Sequence, residues 1–198
     1  MSWLRQLYRG RPIVVVSGLP RSGTSMAMKM LDAGGMALVT DGIRTADISN
    51  PNGYYEFEPV KDLERGKAGW LAGARGKAVK IVSPLLTYLP ESFDYQVIFM
   101  RRPLAEIIDS QHAMLEARGS ERGSDEARTA ELYAAHLAQV EGFLQRRQCF
   151  STVMIEYSQV LADPRAQAEK IQAFLGLPLD AARMAAVADP ALHRNRRA

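Results

Sequence analysis

The chain has 198 residues, of which 47% are hydrophobic, and a formal net charge of +3. This length suits one domain over residues 1–198, and the composition excludes disordered and fibrous proteins. The modest charge fits an anionic small ligand and does not call for nucleic acid. A single cysteine, Cys149, excludes an intrachain disulfide and a cysteine-rich zinc site, so a buried structural thiol is expected. The start of the chain lacks the apolar core of a signal peptide, and no apolar run has membrane-spanning length, so we expect a cytoplasmic protein without a membrane span.

Short apolar runs alternate with helical patterns along the chain. The first run, Ile13–Val16, has four adjacent β-formers and suits a strand buried on both faces. Further strands are predicted at about 78–82, 95–100 and 150–155, and a short one at 36–40 is compatible with the sequence. Helices are predicted at about 24–33, 59–71, 103–115, 125–147 and 164–175. This alternation predicts a three-layer α/β fold in which helices flank a mainly parallel sheet.

The sequence also predicts a turn, a polar loop and one apolar helix face. The sequence at 50–53 is a strong turn signal, and the glycine-rich segment 119–124 is a loop that could act as a lid. In the long helix, one apolar face is predicted from four residues, Leu132, Leu137, Val140 and Leu144.

The segment Gly18–Ser25 follows the first strand and precedes the first helix. Its G-x-x-x-x-G spacing is that of a nucleotide-binding P-loop, but Thr24 stands where the lysine is expected. A cation lies inside the loop instead, at Arg21. Strand, glycine loop and helix together turn backbone N–H groups toward an anion. The segment therefore predicts a site for a phosphate or sulfate group.

A second basic site is predicted where another strand ends. Arg101 and Arg102 follow the apolar run 95–100, and Pro103 then starts a helix. Ligands of parallel α/β sheets bind at the carboxyl ends of strands. Two of the predicted strands thus end in basic groups that suit an anionic ligand.

Three stretches, in this order, resemble the sulfotransferases that use 3′-phosphoadenosine 5′-phosphosulfate (PAPS). The first is Leu19–Ser25, which is similar to the family's 5′-phosphosulfate loop, and the second is Val97–Ser110, which looks like its 3′-phosphate segment. The third begins at Tyr157 and runs through Asp163-Pro164 to Pro178. The resemblance implies the P-loop-related sulfotransferase fold and a PAPS donor, with no metal required.

The resemblance also implies donor-binding residues. Those of the 5′-phosphosulfate loop are Pro20, Arg21, Ser22, Gly23, Thr24 and Ser25. For the 3′-phosphate it implies an arginine and a serine eight residues apart. Arg102 and Ser110 keep that spacing. When the family's proline is aligned with Pro103, however, the matching arginine is Arg101. We predict Arg101 with Ser110, and Arg102 remains the alternative.

Catalytic residues follow from the same comparison. Arg21 is placed to neutralise charge on the bridging oxygen, and Lys80 matches a lysine that precedes the family's catalytic histidine. The histidine position is Val82, so the usual base is absent. Glu56, in a Tyr-Tyr-Glu element similar to that of other branches, is the predicted general base, with Glu58 and Asp41 as alternatives.

Other side chains have weaker predicted roles. His112 and His136 are interpreted as surface or packing residues of helices. Tyr54, Tyr55 and Met26 either line a ligand pocket or belong to the core. The family's late Gly- and Lys-rich segment is missing, and its substitute could be the basic tail that contains Arg194, Arg196 and Arg197.

The predicted activity is transfer of a sulfuryl group from PAPS to a hydroxyl or amine. The acceptor is left open by the sequence as a small molecule, saccharide, lipid or peptide, and so is the oligomeric state. Two other classes are a P-loop kinase or nucleoside triphosphatase and a non-catalytic nucleotide-binding relative. Thr24 and Arg101 argue against the first, because a lysine and a magnesium-binding aspartate are expected there. Val82 keeps the second open.

Overall fold

A computed structural model describes residues 9–43, 53–117 and 125–188. Within these residues, four parallel strands form one sheet in the order β2-β1-β3-β4. Their bounds are Ile13–Gly18 for β1, Ala78–Lys80 for β2, Tyr95–Arg101 for β3 and Phe150–Glu156 for β4. The compatible short strand at 36–40 is reduced to one bridge between Leu38 and Ala78.

Six α-helices surround the sheet within the described residues. They are α1 (Thr24–Ala33), α2 (Leu104–Ala117), α3 (Glu126–Arg146), α4 (Tyr157–Ala162), α5 (Pro164–Leu175) and α6 (Ala181–Ala186). The start of α5 is fixed as the sequence predicts, because the Asp163 side chain accepts a hydrogen bond from the Ala166 N–H and Pro164 occupies the first turn.

The segment 59–71, which was predicted to be helical, is helical but of the 3₁₀ type. The chain forms two 3₁₀ helices there, Glu58–Arg65 and Gly69–Ala74, and a third follows β2 at Ser83–Tyr88. Gly66 ends the first of them, and its backbone N–H donates to carbonyl groups of that helix. Two glycines within four positions thus interrupt the pattern before a longer α-helix can form.

The sheet separates two hydrophobic cores, and alternate residues of each strand enter opposite cores. Val14 and Val16 of β1 belong to the core shared with α1, α4, α5 and α6. Ile13 and Val15 belong to the core shared with α3 and the 3₁₀ helices. All four side chains are almost fully buried. The predicted three-layer α/β fold with a parallel sheet is confirmed.

One part of the predicted α3 face is wrong, because Leu132 is 55% exposed whereas Val140 and Leu144 are buried. At this end of α3, Leu137 packs against the core, and His136 beside it is also partly buried. Cys149 is buried as predicted, and burial raises the pKa of its thiol.

Several predictions lie outside the described residues: most of the turn at 50–53, the loop at 119–124 and the basic tail with Arg194, Arg196 and Arg197. Over the described part of the chain, no helix combines the length and apolarity needed to cross a bilayer. No group of three or more His, Cys, Asp or Glu side chains in those same ranges has a metal-site arrangement, and the expectation that no metal is required stays a prediction.

Candidate active site

The candidate site lies at the carboxyl edge of the sheet, where the loop after β1 has an unusual backbone. Gly18 has φ 145° and Gly23 has φ 100°, both in the region that favours glycine. Arg21 has φ 72°, which is uncommon for a residue with a side chain. A backbone of this kind turns consecutive N–H groups toward one point, and helix α1 begins directly after it at Thr24.

The loop contains a buried hydroxyl with no protein partner. Ser22 is 1% exposed, and its Oγ has no hydrogen-bond partner among the described residues. Gly23 occupies the N-cap position of α1 and has no side chain with which to cap it, and the first turn of α1 contains no acidic residue. The Ser22 hydroxyl therefore lies next to the positive end of the α1 dipole, an arrangement that suits an anion.

The remaining predicted loop residues differ in burial. Thr24 is buried, Ser25 and Arg21 are partly buried, and Pro20 is exposed. The guanidinium of Arg21 is held from a distant part of the chain, because its Nε donates to Ser110 Oγ at 3.0 Å. Ser110 is itself buried in α2. The structure thus brings the predicted Ser110 to the loop arginine.

The two strand-end arginines point in different directions. Phe99 faces the α3 core, and by the alternation of a strand Arg101 faces the same side. There Arg101 pairs with Glu141 of α3, while its Nε is buried without a partner among the described residues. No contact between Arg101 and Ser110 is seen in the described residues, so their predicted partnership stays a prediction.

Arg102 lies on the other side, against the loop. Its Nε is 2.9 Å from Glu106 Oε2, and its Nη1 donates to the Arg21 carbonyl at 3.3 Å. Its guanidinium carbon lies 4.6 Å from the ring centroid of Tyr157, the first residue of α4. Arg102 therefore connects the loop with α2 and α4.

The predicted catalytic residues Lys80 and Glu56 lie together. Lys80 Nζ is 3.5 Å from Glu56 Oε1, and the lysine side chain is 8% exposed against 29% for the glutamate. Lys80 also donates to the Tyr54 carbonyl and lies 5.9 Å from the centre of that ring. Since Lys80 pairs with Val16 in the sheet, this pair is beside the strand that leads into the loop.

The two alternative bases are engaged in other contacts. Asp41 accepts hydrogen bonds from the backbone N–H groups of Glu58 at 2.6 Å and Ile43 at 3.0 Å, and these bonds hold its pKa below the usual value. Glu58 is exposed and lies 2.7 Å from Lys61 Nζ. Of the three predicted carboxylates, Glu56 is the one paired with Lys80.

A contact that the sequence analysis missed lies next to Val82. Ser83 is fully buried, and its Oγ is hydrogen-bonded to His136 Nε2 at 2.8 Å, across 53 residues of sequence. Burial lowers the pKa of His136, which favours the neutral imidazole. The packing role predicted for His136 thus includes a specific polar contact. The signal available in the sequence for this contact was a histidine, His136, on the buried face of α3.

The other ambiguous residues divide between core and site. Met26 and Tyr54 are buried, and Met26 belongs to the α1 core. Tyr55 is partly buried with φ 49°, and burial raises the pKa of its hydroxyl. His112 lies 3.3 Å from Glu126 across α2 and α3.

Comparisons with known proteins identify the family and the fold. The sequence model of a family described as "Sulfotransferase family" matches residues 70–181. A search of curated protein sequences finds no match. Among solved structures, the sulfotransferase domain of the Synechococcus PCC 7002 olefin synthase is 16% identical with a TM-score of 0.54, and the alignment covers 97% of this chain and 90% of that one.

Two more solved structures are similar at the same level of identity. The mouse sulfotransferase SULT7A1, crystallised with PAP, is 16% identical with a TM-score of 0.57 over 93% of this chain and 66% of that one. The sulfotransferase domain of the curacin biosynthetic pathway is 16% identical with a TM-score of 0.51 over 89% of this chain and 77% of that one. At this identity the likeness concerns the fold.

Proposed function

This chain belongs to the sulfotransferase family, and we propose that it transfers a sulfuryl group from PAPS to a hydroxyl or amine of an acceptor. The observation that carries the proposal is the buried Ser22 hydroxyl, which has no partner among the described residues and lies at the N-terminus of α1. A buried hydroxyl without a hydrogen bond is costly, and an anion at the loop would remove that cost.

In this proposal the loop binds the 5′ end of the donor. Backbone N–H groups and the hydroxyls of Ser22, Thr24 and Ser25 donate to the phosphosulfate, and Arg21 neutralises charge. Arg101 and Ser110 bind the 3′-phosphate. The Nε of Arg101, which is buried and has no partner in the described part of the chain, supports this role, and on binding the guanidinium exchanges the Glu141 carboxylate for a phosphate.

Transfer is a direct displacement at sulfur. The acceptor oxygen or nitrogen forms a bond to sulfur while the bond between sulfur and the bridging oxygen breaks. The electron pair of that bond goes to the 5′-phosphate oxygen, and Glu56 takes the acceptor proton. Lys80, within 3.5 Å of Glu56 in the structure, assists in neutralising the charge that develops.

The expected contributions are of ordinary size. Preorganised donors of the kind that Arg21 provides contribute about 3 kcal/mol each to lowering a barrier. A positioned general base contributes roughly 10²–10⁴-fold to the rate. Lys80 and Glu56 come from β2 and the segment before the first 3₁₀ helix, and Arg21 comes from the loop after β1. The site thus receives its donor-binding and acceptor-activating groups from different parts of the chain.

Isothermal titration calorimetry with adenosine 3′,5′-bisphosphate tests the donor. We expect binding at about 100 µM or tighter, and weaker binding of 5′-AMP because it lacks the 3′-phosphate. No binding of the bisphosphate, or equal binding of the two nucleotides, would contradict the proposal. Magnesium-dependent ATP turnover that Arg21→Ala abolishes would instead assign the chain to the nucleoside triphosphatases.

The catalytic step is tested with Glu56→Gln and the matched control Glu58→Gln. Wild type is first screened for sulfate transfer from PAPS to a panel of phenols, alcohols, amines and saccharides. With an acceptor found, Glu56→Gln should lower kcat about 100-fold or more and leave bisphosphate affinity unchanged, while Glu58→Gln should behave as wild type. The same loss in both variants would exclude Glu56 as the specific base. Tight bisphosphate binding without transfer to any acceptor would favour a non-catalytic nucleotide-binding relative.

A further inference from the structure

We propose that Arg102 is a positioning residue and not a ligand of the donor. It holds the segment Gly18–Ser25, called the donor loop below, in its binding conformation. The inference rests on the proposed function for the identity of the donor, but the contacts that carry it belong to the protein alone. Arg102 makes three such contacts, each with a different element: with Glu106 of α2, with Tyr157 of α4 and with the Arg21 carbonyl of the loop.

The first contact fixes the arginine itself. Arg102 and Glu106 are four residues apart, and their side chains are only 7% and 10% exposed. The 2.9 Å contact between Nε and Oε2 is a charge-assisted hydrogen bond with little access to water. Breaking a buried pair of this kind leaves an uncompensated charge, so the guanidinium is strongly held in this position.

The second contact extends the assembly to Gly23. Tyr157 lies under the Arg102 guanidinium and also against the loop, since a Cβ added at Gly23 would be 2.6 Å from Tyr157 Cδ2. The ring therefore leaves room only for glycine at the N-cap of α1. Arg102 keeps this ring in place from its other side by cation–π stacking.

The third contact reaches the residue whose conformation is strained. Arg21 has φ 72°, and such a backbone persists in a residue with a side chain only when its surroundings enforce it. Arg102 Nη1 holds its carbonyl, and Ser110 Oγ holds its side chain at Nε. Arg102 lies between β3 and α2, and Ser110 lies in the middle of α2, so β3 and α2 position the loop as one unit.

The two neighbouring arginines, Arg101 and Arg102, have different roles. Arg102 uses Nε for Glu106, Nη1 for the loop and its face for Tyr157. A guanidinium engaged in three directions is poorly suited to grip a phosphate with two parallel bonds. Arg101, on the opposite face of β3, has an Nε without a partner among the described residues and is the one available for the 3′-phosphate.

The loop conformation is tested without any ligand by hydrogen–deuterium exchange. Arg102→Lys keeps the charge but cannot make the three contacts together, and Glu106→Gln removes the charge partner if the lysine variant folds poorly. We expect both to accelerate exchange at amides 19 and 21–24 and to leave the β1 and β4 amides protected. The control is Asp94→Asn, which breaks a comparably buried carboxylate's 3.1 Å ion pair with Arg9, away from the loop.

The role in binding is tested by titrating the same variants with adenosine 3′,5′-bisphosphate and 5′-AMP. A positioning residue affects both nucleotides equally, so both affinities should fall about ten- to hundredfold with their ratio unchanged. If Arg102 instead bound the 3′-phosphate directly, Arg102→Lys would weaken only the bisphosphate. That result, or loop exchange like that of Asp94→Asn, would overturn the proposal. If wild type binds neither nucleotide, the donor assignment fails and the exchange measurement alone decides the role of Arg102.

Discussion

The close approach of β1 to β3 at the start of the donor loop predicts that Gly18→Ala is strongly destabilising. Gly18 pairs with Met100 in the sheet, and its φ of 145° lies in a region that other residues rarely adopt. A Cβ built there would be 2.6 Å from the Met100 carbonyl oxygen and 2.5 Å from Ser22 Oγ. The first of these neighbours is backbone, so the strand pair itself has to move.

Two terms contribute to the cost. Backbone strain at such φ values is about 1–3 kcal/mol, and overpacking in a close-packed interior adds about 1–3 kcal/mol. The free energy of unfolding should therefore fall by about 2–6 kcal/mol, which for a chain of this size lowers the melting temperature by roughly 5–20 °C. The added Cβ also displaces Ser22. Affinity for adenosine 3′,5′-bisphosphate should therefore fall at least tenfold, because a binding group is moved out of position.

Gly35→Ala is the matched control for this experiment. Gly35 also has positive φ, at 92°, but a Cβ there meets nothing within 4 Å among the described residues. It should show the strain alone, about 1–2 kcal/mol, in urea denaturation. Equal destabilisation by the two alanine variants, or unchanged bisphosphate binding in Gly18→Ala, would refute the reasoning from close approach.

Two further predictions concern buried polar groups. Ser22→Ala should leave the urea midpoint unchanged or raised, because the removed hydroxyl has no protein partner in the described residues, yet it should weaken bisphosphate binding about tenfold in calorimetry. Loss of stability without loss of affinity would contradict this. For His136, burial lowers the pKa, so the folded state binds the proton less readily than the unfolded state, and its contribution to stability is lost as pH falls below about 6.5. The drop in melting temperature between pH of about 7.5 and 5.5 should be smaller in His136→Gln than in wild type, and equal drops would exclude this titration.

Local patterns in the sequence predicted much of the fold. The strand at 13–17 and the helix at 24–33 were found because an unbroken apolar run and a glycine loop are local signals, and the structure has them at Ile13–Gly18 and Thr24–Ala33. The helical segment at 59–71 was found as well, but its type was not, because propensity alone does not separate an α-helix from two 3₁₀ helices interrupted by glycines.

Long-range side-chain contacts were beyond the reach of the sequence. The bond from Arg21 to Ser110 spans 89 residues, and the bond between Ser83 and His136 spans 53. Contacts of this kind leave no periodic pattern in the sequence, because they depend on how α2 and α3 pack. The orientation of Arg101, the last residue of β3, was within reach, since alternation along the strand places it on the same face as Phe99.

The position of each strand in the sheet bears on how a domain of this kind can diversify. β1 carries the donor loop and is hydrogen-bonded on both sides, whereas β2 is three residues long and pairs only with β1 among the described strands. A change in the course of β1 disturbs two strand pairings, whereas a change in β2 disturbs one short strand pairing and the bridge from Ala78 to Leu38. Under the proposed roles, the chain that brings Lys80 and Glu56 to the site therefore contacts the loop-bearing strand through one short pairing. Variation of the acceptor would then act through the segment around β2, while the course of β1 is kept.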